Sequence, residues 1–219
     1  MQVAVKYPRV LLAHAQRGDC VQQLARDLSV QVATILSVQA RASLLLPGGS
    51  SPQQLLPLLA AEPLEWARVD VSPTDERWVA ADAEQSNWRL LQQGLPAAIC
   101  LDPRQADSAQ ASASLWADQL QARMPFAAVL LGMGEDGHIA SLFPGMPGLA
   151  PALDLQAAPS ALCAQAPSEP RQRLSLNLPM LLQAQWLGLL AFGQSKKQLI
   201  DAVLADMPQS RALPLHALL

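Results

Sequence analysis

The sequence predicts a soluble α/β domain whose sheet is covered by helices on both faces. Short apolar runs of strand length alternate with segments of helical periodicity from residue 19 to residue 205. No repeat or low-complexity linker divides the 219 residues, so residues 1–219 are expected to form one domain. Hydrophobic residues make up 51% of the chain and charged residues 15%, a composition that folds compactly rather than staying disordered.

The elements follow in order. Between residues 19 and 41, Val21, Leu24, Leu28, Val32, Ile35 and Leu36 recur at helical spacing, with Asp19 as the expected N-cap. Residues 43–46 form a strand that enters the turn PGGSSP and the helix QQLLPLLA. The stretch WARVDVS, residues 66–72, alternates apolar and polar residues and is expected to be a strand ending at the acidic turn PTDERWV. Ser86 is placed to cap a helix through WRLLQQ, with Gly94 as its stop. A brief strand is expected at 97–101, and an amphipathic helix over 105–122 carries Leu115, Trp116 and Leu120. The run AAVLL, residues 127–131, is a strand leading into GMGEDGHIASLFPG and then a Pro/Ala-rich stretch from 144 to 159. Residues 162–166 form a strand, Asn177 caps a short helix, and 186–192 form another buried strand. Gly193 and Gln194 then turn into the helix SKKQLIDAVLAD, with Leu199, Ile200, Val203 and Leu204 on one face.

Composition also excludes partners. The formal net charge is −3, so no basic field points to nucleic acid or an anionic membrane, and an anionic ligand needs a locally built positive pocket. The uncharged stretch 174–195 is interrupted by Asn177, Pro179, Gln183 and Gln185, and reads as helix plus strand rather than a membrane span. The opening MQVAVKYPRVLLAHAQR lacks the apolar core of a secretion signal. Cys20, Cys100 and Cys163 are odd in number and far apart, which suits reduced thiols of a cytoplasmic protein and neither disulfides nor a metal set.

In open α/β sheets, ligands bind beyond the carboxyl ends of the strands. Four such ends carry polar or glycine-rich chemistry here: PGGSSP, TDER, GMGEDGH and GQSKK. Gly48 and Gly49 expose successive N–H groups to an anion, or they make an ordinary turn; the pattern fits both equally. Asp75, Glu76 and Arg77 read as a solvated charged turn or, with Arg77 gripping a carboxylate or phosphate, as part of a site. Lys196 and Lys197 open a helix, where the dipole disfavours cations; an anion bound there would remove the conflict, and Lys196 is the better candidate.

The first six residues of GMGEDGH match G-x-G-x-x-G, but the following helix is cut short by Pro144 and Gly145 and no suitable second strand follows. A dinucleotide site is therefore disfavoured. His138 lies in this glycine-rich strand end with Asp136 two residues before it, the arrangement of a general base oriented by a carboxylate. His14 and His216 read as structural or exposed, no metal-ligand spacing appears, and no G-x-S-x-G elbow supplies a serine nucleophile. Water activated by His138 is the expected chemistry, with backbone amides of residues 132–137 as candidate oxyanion donors.

Taken in order, LLLPGGSSP, DERWV with SNWRLL, LLGMGEDGHIASLFPG, PRQRLSLNLPML and LLAFGQSKKQLI resemble the 6-phosphogluconolactonase family, from about residue 44 to 205. The resemblance implies a Rossmann-like three-layer α/β/α fold with a mostly parallel sheet. It implies hydrolysis of 6-phospho-D-glucono-1,5-lactone to 6-phosphogluconate in the oxidative pentose phosphate pathway, without metal or organic cofactor. By resemblance, His138 is the general base and Asp136 its orienting acid. Gly48, Gly49 and Ser50 form the phosphate-side loop, Arg77 and Lys196 hold the anionic substrate beside Asp75, and Arg173 precedes a family strand. Pro47 and Ser51 stand where the family usually has serine and threonine, which alters side-chain donors and leaves the backbone donors in place. The expected partner is a small phosphosugar lactone, bound by a monomer or small homo-oligomer.

Two other readings compete. Glucosamine-6-phosphate deaminases share the Gly-His block but typically show DEY and GHIAFNEP, where this chain has DER and GHIASLFP. A non-catalytic sugar-phosphate sensor would ordinarily have lost His138 or Asp136, and both are present.

Overall fold

A computed structural model of the protein describes residues 16–219. His14 and residues 1–15 of the N-terminal stretch read above for a signal lie outside the described residues. The helices are α1 (Arg17–Leu36), α2 (Ser50–Ala60), α3 (Asn87–Gly94), α4 (Ala109–Gln121), α5 (Leu149–Leu153), α6 (Leu178–Leu181), α7 (Gln194–Leu204) and α8 (Pro214–Leu218). The strands are β1 (Ala42–Leu46), β2 (Val69–Pro73), β3 (Asp75–Arg77), β4 (Ile99–Cys100), β5 (Phe126–Gly132), β6 (Ala161–Gln165), β7 (Gln172–Leu176) and β8 (Ala184–Leu190).

Five strands form one sheet in the order β4-β2-β1-β5-β8, every pair parallel. The chain runs outward from β1 through β2 to β4, then crosses back to build β5 and β8 on the other side. The switch point therefore lies between β1 and β5, and the loops leaving these two strands open a crevice there. Side chains alternate across the sheet. Leu44 and Leu46 of β1 and Ala128 and Leu130 of β5 face a core shared with Leu28 of α1 and Leu55 of α2. Leu45, Val129 and Leu131 face the opposite core, with Trp116 and Leu120 of α4. Burial on both faces explains the continuous apolar runs in the sequence.

A second, three-stranded antiparallel sheet, β3-β7-β6, packs on the α4 side. Its first strand corrects the reading of TDER as a turn. Asp75–Arg77 pairs with β7, and Trp78 N–H extends the ladder to the Gln172 carbonyl at 2.9 Å. Three charged residues give no strand periodicity, so only pairing with a distant partner could reveal it. Thr74 joins the two sheets: its N–H donates to the Leu46 carbonyl and its carbonyl accepts from Leu176 N–H.

Boundaries shifted for local reasons. Residues 66–68 form a 3₁₀ turn rather than the start of a strand. There the Arg68 guanidinium donates to the carbonyls of Leu36, Gln39 and Ala40, capping the end of α1. Asp19 is not the N-cap of α1; Gln16 holds that position and Asp19 sits in the first turn, where the dipole favours it. Ser86 and Asn177 do cap their helices, accepting from the backbone N–H of Arg89 and Met180, and Ser108 caps α4 in the same way through Ala111 N–H.

At the sheet's amino end, buried Asp70 of β2 accepts from Arg41 at 2.7 and 3.2 Å and from Arg123 at 3.1 Å. These arginines precede β1 and β5, so one carboxylate pins three neighbouring strands at the end opposite the crevice. Burial raises the pKa of all three cysteines, that of Cys100 to about 11. Asp70→Ala is expected to lower unfolding stability by about 1–3 kcal/mol by leaving two guanidinium groups short of an acceptor. Urea denaturation measures the loss, and turnover of the folded fraction should be unchanged.

Candidate active site

The crevice at the switch point holds a cavity of about 360 Å³. All four strand ends singled out in the sequence reach it. Pro47–Pro52 comes from the β1 end, Asp75 and Arg77 from β3, Gly132–Gly134 and His138 from the β5 end, and Lys196 from the start of α7. Arg173 of β7 and Asn87 of α3 complete the wall. Asp136 lies just outside, in an adjoining hollow that shares Phe143 and Ala166 with the cavity.

His138 Nδ1 lies 2.6 Å from Asp136 Oδ1, and the same oxygen accepts the His138 backbone N–H at 3.2 Å. An ionised carboxylate only accepts, so the close contact fixes the ring proton on Nδ1 and leaves Nε2 with a free lone pair. Phe143 packs on the imidazole with ring centroids 4.6 Å apart. Gly134 makes room for the pair. A methyl group there would fall 2.2 Å from His138 Nδ1 and 2.4 Å from Asp136 Oδ1. The loop is closed by hydrogen bonds from Gly134 N–H to the His138 carbonyl and from Gly137 N–H to the Gly134 carbonyl. Those two amides are thus committed and cannot serve as the oxyanion donors expected of them.

The cavity lining also carries three cationic side chains, Arg77, Arg173 and Lys196. Gly49 is the N-cap of α2, whose first turn has neither a side-chain cap nor an acidic residue. Its free N–H groups and the dipole both favour an anion. Gly48 approaches Asn87 so closely that a methyl group on it would overlap the Asn87 amide. Lys197 is paired with Asp201 at 2.6 Å, whereas Lys196 has no hydrogen bond or ion pair among the described residues. Arg77 and Arg173 are directly opposite one another in the β3–β7 ladder, an unfavourable placement for like charges. Arg173 lies inside β7 rather than before it and is 7% exposed; burial, and then the charge of Arg77, push its pKa down. Arg77 Nη1 donates to the Gln85 carbonyl at 2.7 Å, and its buried Nε has no partner.

Sequence reasoning passed over the groups that hold this wall. Glu76 is fully buried and accepts from the backbone N–H groups of Arg77, Asn87 and Trp88 at 2.7–2.8 Å and from Ser86 Oγ at 3.1 Å, and it forms an ion pair with Arg104 at 3.2 Å. Burial pushes its pKa up, against those N–H groups and Arg104, which pull it down. Asp75 is oriented by Ser141 Oγ, which donates to its Oδ2 at 2.5 Å, and Asn87 Nδ2 donates to the Asp75 carbonyl at 2.7 Å. Ser141 is visible in the sequence only as a serine near His138, and nothing there marks Arg104. Among the described residues, no three His, Cys, Asp or Glu side chains gather as a metal site, and no helix is long and apolar enough to cross a membrane.

Residues 15–219 match the family model described as glucosamine-6-phosphate isomerases/6-phosphogluconolactonase. The chain belongs to this family. It is 37% identical to a 6-phosphogluconolactonase of Pseudomonas putida over 98% of this chain and 92% of that one. A Pseudomonas aeruginosa 6-phosphogluconolactonase is 38% identical over 92% and 89%. The crystal structure of a 6-phosphogluconolactonase from Shewanella baltica OS155 superposes with a TM-score of 0.84 at 31% identity, covering 93% of this chain and 89% of that one. With relatives this similar over nearly the whole length, the chain is an enzyme of the lactonase type.

Gly134→Ala is expected to push the imidazole off Asp136 while leaving the fold intact. Turnover should fall by about 10²-fold, the effect of misplacing a catalytic group by about 1 Å. Steady-state kinetics with a thermal melt on the same sample separates this from unfolding.

Proposed function

We propose that the protein hydrolyses 6-phospho-D-glucono-1,5-lactone to 6-phospho-D-gluconate, with His138 as general base. The observation that carries the reading is a carboxylate-oriented imidazole and an unpaired cationic anchor within one cavity. The phosphate is held by the loop Gly48, Gly49 and Ser50 that opens α2, together with Lys196 and the two arginines. An anion between Arg77 and Arg173 relieves their repulsion, so binding is strongest in the charge state that the substrate brings.

Fixing the phosphate brings the lactone carbonyl toward His138. Nε2 takes a proton from a water molecule as that water's oxygen attacks the carbonyl carbon, and Asp136 stabilises the resulting imidazolium. Collapse of the tetrahedral intermediate breaks the bond from that carbon to the ring oxygen. The ring oxygen takes the proton back from the His138 imidazolium and becomes a hydroxyl, which restores the base and leaves a carboxylic acid that ionises. Asp75, held by Ser141, accepts hydrogen bonds from sugar hydroxyls. Phe143, packed on His138, stands where the deaminase pattern GHIAFNEP has glutamate, so the carboxylate of that chemistry is missing here. No cofactor enters the proposed reaction, and the working unit is a monomer or small homo-oligomer.

With freshly generated lactone and the spontaneous rate subtracted, the wild type should turn over rapidly. His138→Ala should lose about 10²–10⁴-fold in kcat while keeping its melting temperature. A wild-type rate no faster than buffer would sink the lactonase reading. Inorganic phosphate should inhibit competitively, and Arg173→Gln should raise KM by about tenfold or more, the loss of a charge-assisted bond of about 1.5–3 kcal/mol. Unchanged KM in that variant would remove Arg173 from the anchor.

A further inference from the structure

We infer that α7 and the segment 206–218 form a clamp that sets the position of His138, with Leu213 and Leu199 as its positioning residues. The inference rests on the reading of His138 as the base.

The clamp closes on Gly137, the residue immediately before His138, whose φ of +81° belongs to the left-handed region. A methyl group on its α-carbon would meet Leu213 Cδ1 at 3.0 Å and Leu199 Cδ2 at 3.4 Å, so two leucines cover this backbone. Leu215 is fully buried, and its N–H donates to the Gly137 carbonyl at 3.1 Å. One turn away, Ser195 Oγ donates to Glu135 Oε1 at 3.3 Å. The base loop is thus gripped on both sides of Asp136 by α7 and by the segment 206–218, which adds no residue to the cavity lining.

The grip is itself braced. Ser210 Oγ donates to the carbonyls of Ala202 and Met207, tying the segment to α7. Arg211 makes two bonds to the Asp206 carboxylate, which also meets His216 at 2.9 Å. Lys196 and Leu199 are three residues apart on α7 and so share a face. One helix therefore carries both the cation that anchors the anionic end of the substrate and the side chain that seats the base loop. Their separation is fixed by helix geometry, and it matches the base to a carbonyl at a set distance from the phosphate.

The test compares Leu213→Ala with Leu28→Ala, a core substitution in α1 on the far side of the sheet that lowers stability without touching the loop. Each variant is measured for kcat, KM and the ¹⁵N resonances of the His138 imidazole. Leu213→Ala is expected to lose about 10–100-fold in kcat with KM within about threefold of wild type, because the base moves while the anchor does not. The imidazole resonances should shift in Leu213→Ala and hold in Leu28→Ala. Unmoved resonances with wild-type kcat would overturn the clamp, as would a rise in KM at constant kcat. If Leu213→Ala does not fold, Leu213→Val should give a smaller loss of kcat and a smaller shift, and wild-type behaviour in that variant would overturn the clamp equally. Full activity in His138→Ala would instead remove the base assignment, and the resonances would still decide whether Leu213 positions the ring.

Discussion

A carboxylate with no exposure to solvent organises the wall on which the site is built. Glu76 sits between Asp75 and Arg77, pointing away from the cavity that its two neighbours line. Its oxygens collect the N–H groups of Arg77, Asn87 and Trp88, which joins the strand β3 to the first turn of α3. A charge taken so far from water is tolerable only when every lone pair is used and a counter-ion stands by. Arg104 supplies the counter-ion, Ser86 the remaining donor, and the cap of α3 is formed by the same contacts. The placement of Arg77 in the cavity and of Asn87 against Gly48 both follow from where Glu76 must be.

The second constraint is electrostatic. A chain of net charge −3 carries in this cavity Arg77, Arg173 and Lys196, with Asp75 the acidic residue of its lining. Asp75 and Glu76 counter part of that positive charge and favour the charged form of Arg173, while burial and Arg77 oppose it. The result is a pocket held together by protein carboxylates yet still short of negative charge. A phosphate ester fits that deficit, and the amino end of α2 adds donors that need no side chain. In the proposed reaction the base is the imidazole of His138, whose ring proton is set on Nδ1 by Asp136.

Much of this was legible because it is local. The parallel sheet follows from uninterrupted apolar runs, since strands covered on both faces show no polar alternation. The caps at Ser86 and Asn177 follow from side chains that reach their own helix, and Asp136 and His138 are two residues apart in one loop. Asp75–Arg77 is a strand where the sequence predicts a turn, because three charged residues carry no signal of the distant β7 partner. WARVDVS was read one element too early for a similar reason: Arg68 caps α1, some thirty residues before it, and bends its own segment into a 3₁₀ turn. Two of the loop amides expected to face an oxyanion, those of Gly134 and Gly137, turned inward, since a tight loop satisfies its own donors first.

By itself, then, the sequence determined the layered α/β architecture, the strand ends at which chemistry collects, and the residues whose types suit lactone hydrolysis. Periodicity, capping and motif spacing act over a few residues, and a chain records them directly. Tertiary structure alone decided that Arg77 faces Arg173, that Glu76 and Arg104 are buried together behind them, and that Leu199, Leu213 and Leu215 seat the histidine loop. These depend on which distant segments meet, and that is fixed by the joint burial of two cores and by the pairing of buried charges such as Glu76, not by any one stretch of chain.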